Sequence, residues 1–545
     1  MRSYSKSCVY QIYVKSFADS NGDGIGDIPG IIGKLDYLAD LGVDYLWLTP
    51  FFTSPMNDNG YDVADYRRIN PCFGTMEDVE RLIAEAKKRG ILLMFDMVFN
   101  HTSTEHEWFQ RALAGESEYR DFYIFKDPID GHEPTNWQSK FGGSAWEYVP
   151  SLGQYYLHLF DKTQADLNWE NPKVREALKD VIRFWKDKGV GGFRFDVVNL
   201  ISKPAVWEND TIGDGRRFYT DGPHVHEYLK ELVADTGIAD MMTVGEMSST
   251  SVEQCIRYTK QEERELAMAF SFHHLKVDYK NGDKWSLMDA DLLQLRDLFA
   301  TWQEQMQEAD GWNALFFNNH DQPRAISRFG DDDKYRLESG KMLGLLIHGM
   351  RGTPYIYQGE EIGTPNAGFT TIEQYRDVES LNYYKILLEQ GKSEAEALEI
   401  LAARSRDNGR TPMLWTEEAN AGFSNVEPWL AFPVKRQGIS VETQQQQEDS
   451  ILAFYRKLVG LRKELPVLSE GSIRFLETPE GVIGYERCLG EEWLTVLCNL
   501  TNRRIALPDT MQPEGDVLLD SYVELPLNDM VLRPYEGVAR LYKRR

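Results

Sequence analysis

Eight short apolar, β-rich runs punctuate the chain, each followed by a polar or Gly-rich loop and then by a helical pattern. They are Val9–Phe17, Val43–Pro50, Ile91–Val98, Gly191–Val198, Met242–Met247, Leu266–Phe272, Trp312–His320 and Thr353–Glu361. Strands that are hydrophobic along their whole length and alternate with helices belong to a parallel sheet covered on both faces. Eight of them suit an α/β fold closed as a (β/α)8 TIM barrel, where chemistry gathers at the strands' C-terminal ends. An open doubly wound sheet is the competing fold, but no GxGxxG follows the first run.

Two stretches break the alternation. Between His101 and Asn168 the third repeat carries an insertion rich in Trp, Tyr, Gly and Pro, too long for an ordinary loop. An inserted subdomain over residues 101–168 is expected after strand 3, between barrel segments 1–100 and 169–465. A helical pattern with apolar residues at Ile451, Phe454, Leu458, Leu461 and Leu465 then gives way to strand-like pieces such as "GVIGYERC" and "EEWLTVLCNL". A C-terminal all-β sandwich domain is expected over residues 466–545.

The formal charge of −26 argues against nucleic acid or an anionic membrane as partner, because like charge repels phosphate at long range. It leaves room for a small phosphorylated ligand held by a local cluster of cations. The five cysteines are odd in number, far apart and without a CxxC pair, as expected of reduced thiols in the cytoplasm, with one disulfide as the alternative. No apolar run follows the early charges as in a secretory signal, and none is long enough to span a bilayer. No obligate protein partner and no organic cofactor are implied.

The strand ends carry acids. Arg194 and Asp196 in "GGFRFDVV" are two apart and share a face, and a guanidinium beside a carboxylate keeps it ionised, as a nucleophile requires. Glu246 closes "MTVGE" in a flat, apolar-looking setting that suits a proton donor, and Asp321 follows His320 in "FFNNHD". One ionised and one protonated carboxyl across a bond is the usual arrangement for cleaving a glycosidic linkage. Pairing of these acids with neighbouring Arg and Lys explains any one of them, but explains the set poorly.

"DMVFNH" (Asp96–His101), "GFRFD" (Gly192–Asp196), "GEM" (Gly245–Met247) and "NNHD" (Asn318–Asp321) resemble the four signature regions of the α-amylase family of glycoside hydrolases, in the same order. "QADLNWENP" (Gln164–Pro172) resembles the family's additional region, and the resemblance covers essentially the whole chain. It implies a retaining double displacement with Asp196 as nucleophile, Glu246 as general acid and then base, and Asp321 stabilising the transition state. His101, Arg194 and His320 would hold the ring and the nucleophile. Asp62 in "GYDVADY" and Arg410 in "NGRTPMLW" match residues that close the pocket around a terminal glucose in exo-acting members, and the two could pair. Val197, after the nucleophile, resembles members acting on α-1,6 linkages, such as oligo-1,6-glucosidases and dextran glucosidases.

"DSNGDGIGD" places oxygen ligands at Asp19, Asn21, Asp23, the Ile25 carbonyl and Asp27, with Gly24 at the turn. The closing Glu of an EF-hand is absent, since its position is Gly30, and no helix precedes the loop. Related glucosidases carry such a loop as a structural metal site, which implies Ca2+ (or Mg2+) with no part in the chemistry; an Asx-rich turn without metal is the alternative.

"SFHHLKVDYKNGDK" (Ser271–Lys284) gathers two histidines and three lysines in this acidic chain. With "GEMSSTS" and "DGRRFYTDGPHVHEYL" it resembles the branch of the family that hydrolyses trehalose 6-phosphate. His274, Lys276 and Lys284 at the barrel mouth are the expected phosphate donors; Lys280 reads as a solvated charge and His273 as a packing residue. A non-catalytic relative is disfavoured because Asp196, Glu246 and Asp321 are all kept. A glucosyl transferase or isomerase would use the same residues.

Overall fold

The structure is a computed structural model that describes residues 4–511, 514–524 and 530–544. Eight strands form its centre: β1 (Val9–Ile12), β2 (Tyr45–Leu48), β3 (Leu92–Met97), β4 (Gly192–Phe195), β5 (Met242–Glu246), β6 (Met268–Phe270), β7 (Ala314–Leu315) and β8 (Thr353–Tyr357). They are hydrogen-bonded in the order β6-β5-β4-β3-β2-β1-β8-β7, every pairing parallel. A parallel bridge from Ala269 to Asn313 joins β6 to the start of β7 and closes the barrel. The seventh strand is only two residues long, although the apolar run there is longer. Trp47, Met94, Phe270 and Tyr355 fill the interior, with Phe270 and Tyr355 rings 4.7 Å apart. The barrel is therefore a packed core with its chemistry at one rim.

Between β3 and β4 the chain leaves the barrel. His101–Ser103 pairs antiparallel with Gln164–Asp166, bringing both ends of the excursion together, and Phe125–Lys126, Gln154–Leu157 and Trp146–Val149 form a small antiparallel sheet. The return is marked by Asn171, whose side chain caps the helix Pro172–Asp187, with Pro172 in its first turn.

The C-terminal part is all-β: β9 (Ser472–Phe475), β10 (Val482–Leu489), β11 (Glu492–Asn499), β12 (Asp516–Asp520) and β13 (Gly537–Lys543) form one antiparallel sheet in the order β9-β10-β11-β13-β12. A two-stranded sheet, Ile505–Ala506 with Val531–Leu532, adds to it. The helix Arg336–His348 lies between this sheet and the barrel and is buried along most of its length. Gly344 lets the helix Ile451–Glu464 approach, since a Cβ there would stand 2.8 Å from the Tyr455 ring. The carbonyls at and just after the C-terminus of the helix Arg336–His348 accept from two buried arginines: Arg462 bonds those of His348 and Met350, and Arg487 that of Gly349 (2.7 Å). Among the described residues no helix is long and apolar enough to cross a membrane.

Candidate active site

The register of β4 builds the centre of the site. Arg194 lies opposite Asp96 on β3 and Val244 on β5. With side chains alternating along a strand, Asp196 and Glu246, each two residues further on, return to the same face as these partners. Arg194 Nη1 donates to Asp96 Oδ1 (2.7 Å) and Asp196 Oδ1 (2.6 Å), while its Nη2 contacts Glu246. Asp96 also accepts from Trp47 Nε1 and the Tyr61 hydroxyl, each at 3.0 Å. Glu246 thus sits against a buried guanidinium and not in the apolar setting its strand suggested, because β4 and β5 are adjacent. Three carboxylates around one guanidinium leave an excess of negative charge, which favours one proton within the set. Burial pushes the Asp96 carboxyl up to about 7 against the pull of Arg194.

Asp321 arrives from the loop after β7. Its Oδ1 accepts from Arg410 Nη2 (2.8 Å) and Arg406 Nη1 (3.3 Å), and its Oδ2 lies 3.2 Å from His320 Nε2. Against the cost of burial, these neighbours hold the carboxyl far below the usual range. The His320 ring is itself neutral, pushed down to about 3 by burial, so Arg406 and Arg410, with Arg194 behind them, carry the effect. That ring stacks on Tyr61 at 5.1 Å with a 4° tilt, and its Nδ1 lies 2.8 Å from Gln11 Nε2. Asp196, Glu246, Asp321 and His101 line one cavity of about 270 Å³; Arg194 and His320 lie behind its wall. His101 Nε2 is 3.2 Å from the Tyr61 carbonyl, and burial keeps the ring neutral by lowering its pKa.

The residues expected to close this cavity are displaced by one turn of chain at each position. Asp62 does not meet Arg410. Its oxygens accept from Ser54 Oγ (2.9 Å), Asn57 N (2.8 Å) and Asp58 N (3.1 Å), so it staples its own loop. Arg410 is fully buried and orients Asp321 from behind, with its Nε on the His320 carbonyl. The pair at the cavity wall is Asp58 with Arg406, four residues earlier in each motif, 3.2 Å apart. Sequence shows two acids in "NDNGYD" and two arginines in "RDNGR"; only the turn geometry decides which of each faces inward.

The cations separate in the same way. Lys276 and Lys284 line the cavity with Glu246. Lys284 Nζ donates to Glu379 Oε2 (2.6 Å), a carboxylate that also lies 3.4 Å from Arg406 Nε. His274 turns away. Its Nε2 is 2.8 Å from the Phe316 carbonyl, and its ring packs 5.3 Å from Phe299 and Phe316. Burial lowers it to about 4, so at neutral pH it carries no charge for an anion, and its role is packing. His273 lies against Trp302 (5.0 Å). The 3-10 turn His273–Lys276 after β6 sends both imidazoles towards the helix Leu292–Glu308 and leaves Lys276 on the lip.

The α-amylase catalytic-domain model matches residues 11–471. The chain belongs to the α-amylase family. It is 51% identical to the trehalose-6-phosphate hydrolase of Bacillus subtilis (strain 168), over 98% of this chain and 97% of that one. It is 46% identical to the oligo-1,6-glucosidase of Parageobacillus thermoglucosidasius, over 99% and 98%. The crystal structure of Bacillus licheniformis trehalose-6-phosphate hydrolase superposes with a TM-score of 0.94 at 51% identity, each chain covered in full (100%).

Two further features of this family member concern its first and fourth strands. Val197, just after Asp196, lines the cavity with φ +35°, a left-handed conformation that is sterically costly for a β-branched side chain. The loop after β1 is closed by its own hydrogen bonds. Asp19 accepts from the amides of Asn21, Gly22 and Gly24, Asn21 from Asp23, Asp23 from Ile25, and Asp27 from Ser20 and Gly30. Gly24 has φ +85°, as the turn demands. Among the described residues no three His, Cys, Asp or Glu side chains converge as a metal group. The donor chemistry, three carboxylates, an amide oxygen and the Ile25 carbonyl, fits a hard divalent cation. Both Asp19 oxygens and Asp27 Oδ2 already accept two hydrogen bonds each, with Ser424 Oγ among the donors to Asp19, so a cation would compete with some of these bonds.

Proposed function

We propose that this enzyme is a retaining, exo-acting α-glucosidase that hydrolyses trehalose 6-phosphate to glucose and glucose 6-phosphate. The observation that carries the reading is the placing of Lys276 and Lys284 in the cavity that holds Asp196 and Glu246, in a chain of net charge −26. A phosphate entering so acidic a protein must meet fixed cations or be repelled. The 51% identity to hydrolases of this specificity supports it.

Asp196, whose Oδ1 accepts from Arg194 Nη1, attacks the anomeric carbon of the unphosphorylated glucose, forming a glucosyl ester. Glu246 protonates the departing oxygen, and glucose 6-phosphate leaves. Glu246, now a carboxylate, takes a proton from water, whose oxygen attacks the same carbon and frees Asp196 and glucose. Asp321, fixed by Arg406 and Arg410, stabilises the positive charge that develops on the ring. The Asp58–Arg406 pair at the cavity wall favours release of single terminal units over mid-chain cutting.

Side-by-side assay on trehalose 6-phosphate, trehalose and isomaltose tests this. A kcat/KM for the phosphorylated sugar about 100-fold or more above the other two is expected, since one well-made charged contact is worth roughly 2–3 kcal/mol. Preference for isomaltose would instead make the enzyme an oligo-1,6-glucosidase or dextran glucosidase, the reading that Val197 favours.

We also propose a structural Ca2+ (or Mg2+) held by Asp19, Asn21, Asp23, the Ile25 carbonyl and Asp27. Chelation is then expected to lower Tm while kcat/KM at a temperature well below Tm is unchanged; an unaltered Tm would remove the site. A cytoplasmic location is proposed because all five cysteines are free thiols, as a reducing compartment keeps them. Recovery of the protein from the culture medium would contradict it.

A further inference from the structure

The excursion between β3 and β4 brings a cation to the cavity that the sequence pattern did not single out. Lys140 is anchored there by its amide, which donates to the Leu159 carbonyl (2.9 Å), and its Nζ reaches across to Ser248 Oγ (3.0 Å). Ser248 stands two residues after Glu246 and is clamped by Asn199, which accepts from its amide and donates to its carbonyl, both at 2.9 Å. An ammonium from the inserted segment is thus tied to the loop that carries the general acid. Lys140, Ser248, Lys276 and Lys284 all line the catalytic cavity.

The charge balance there is uneven. Lys284 already has a carboxylate partner, Glu379. Among the described residues, neither Lys140 nor Lys276 forms an ion pair with a carboxylate, although the chain has 86 acids to 60 bases. Burial, Arg216 and Lys276 together push the Lys140 ammonium down to about 7, against the pull of Asp214 and Asp166. Both ammonium groups lack a direct carboxylate partner at the mouth of the cup, which leaves them open to an anion that enters it.

We propose that Lys140 is a specificity-determining residue of the phosphate site, gripping with Lys276 the phosphate of the leaving sugar, so that the inserted segment and the barrel build that site jointly. This rests on the phosphorylated-substrate reading above. Ser248 Oγ accepts from Lys140, which leaves its own proton free to donate to a phosphate oxygen. A dianion bound there draws the inserted segment against the loop of Glu246, so the phosphate aligns the bond to be cut as well as adding affinity.

The test compares K140M, which keeps length and removes charge, with K140R and the parent, on trehalose 6-phosphate and p-nitrophenyl α-glucoside. The ratio of the two kcat/KM values is expected to fall about ten-fold or more in K140M, mainly through KM, and to recover in part in K140R. The inhibition constant of glucose 6-phosphate should rise in step. K140Q is measured in parallel, so that a folding failure of the apolar variant does not decide the outcome. A ratio within about two-fold of a phosphate-preferring parent would overturn the role of Lys140 and leave the substrate reading standing. A parent with no preference for the phosphorylated sugar would overturn that reading, and the Lys140 inference with it.

Discussion

Asp196→Asn is expected to lower kcat by about six orders of magnitude on every glucoside, the scale seen when a nucleophile acting within a catalytic unit is removed. The amide cannot form the ester, yet the fold should persist, because Arg194 keeps Asp96 at 2.7 Å and its contact with Glu246. Glu246→Gln should behave differently on the two substrate types. Trehalose 6-phosphate loses a sugar hydroxyl, a poor leaving group that needs a proton, so its turnover should fall roughly 10²–10⁴-fold. p-Nitrophenol leaves without that help, so the first step survives and the second, lacking its base, limits. A burst of p-nitrophenol with a glucosyl adduct on Asp196, read by mass spectrometry, is the expected signature. Equal loss on both substrates, or parental speed in either variant, would remove the assignment of roles.

How far the site could be read in advance depends on what kind of geometry fixes each residue. Asp196, Glu246 and Arg194 sit on or next to strands, where a two-residue period sets the face and parallel register sets the neighbour, so their convergence follows from the sequence pattern. The barrel was legible for the same reason: eight apolar runs demand burial on both faces. Loop residues follow no such period. Asp58 and Asp62 are chemically alike and four apart, and only the turn amides that claim both oxygens of Asp62 leave Asp58 for Arg406. His274 misled because adjacent imidazoles near lysines suggest an anion site, while the turn after β6 sends the ring towards Phe299 and the Phe316 carbonyl. Lys140 carried no local signal, since its role comes from a contact with Ser248 that spans the inserted segment.

Arg406→Met is expected to cost both activity and stability, because this buried guanidinium serves four carboxylates. Its Nη2 lies 2.5 Å from Asp377 and 3.2 Å from Asp58, its Nη1 3.3 Å from Asp321 and its Nε 3.4 Å from Glu379. Removing one partner of such a network leaves charge buried without compensation, at about 3–5 kcal/mol. Loss of its grip on Asp321 should lower kcat/KM by roughly 10²-fold, the penalty for a group misplaced by about 1 Å. The pH dependence has a definite sign. Burial already pushes the folded Asp58 carboxyl up to about 7, and without Arg406 it rises further. Stability from a raised carboxyl is fully present below its unfolded value and is lost as pH rises through the folded one. Asp377, by contrast, is held low in the parent by Arg406 and Arg410 against the cost of burial, so that contribution is present at neutral pH and fades in acid. The Asp58 trend makes the gap in Tm between parent and variant widest near pH 8 and narrowest near pH 5, while the Asp377 contribution fades only in stronger acid, below the ordinary carboxylate range. Adding Asp58→Asn to Arg406→Met should restore part of the lost stability at pH 8 by removing the stranded charge. If the double variant is no more stable than the single one there, Asp58 is not the partner that Arg406 compensates, and the closed wall of the cup must be assigned to other residues.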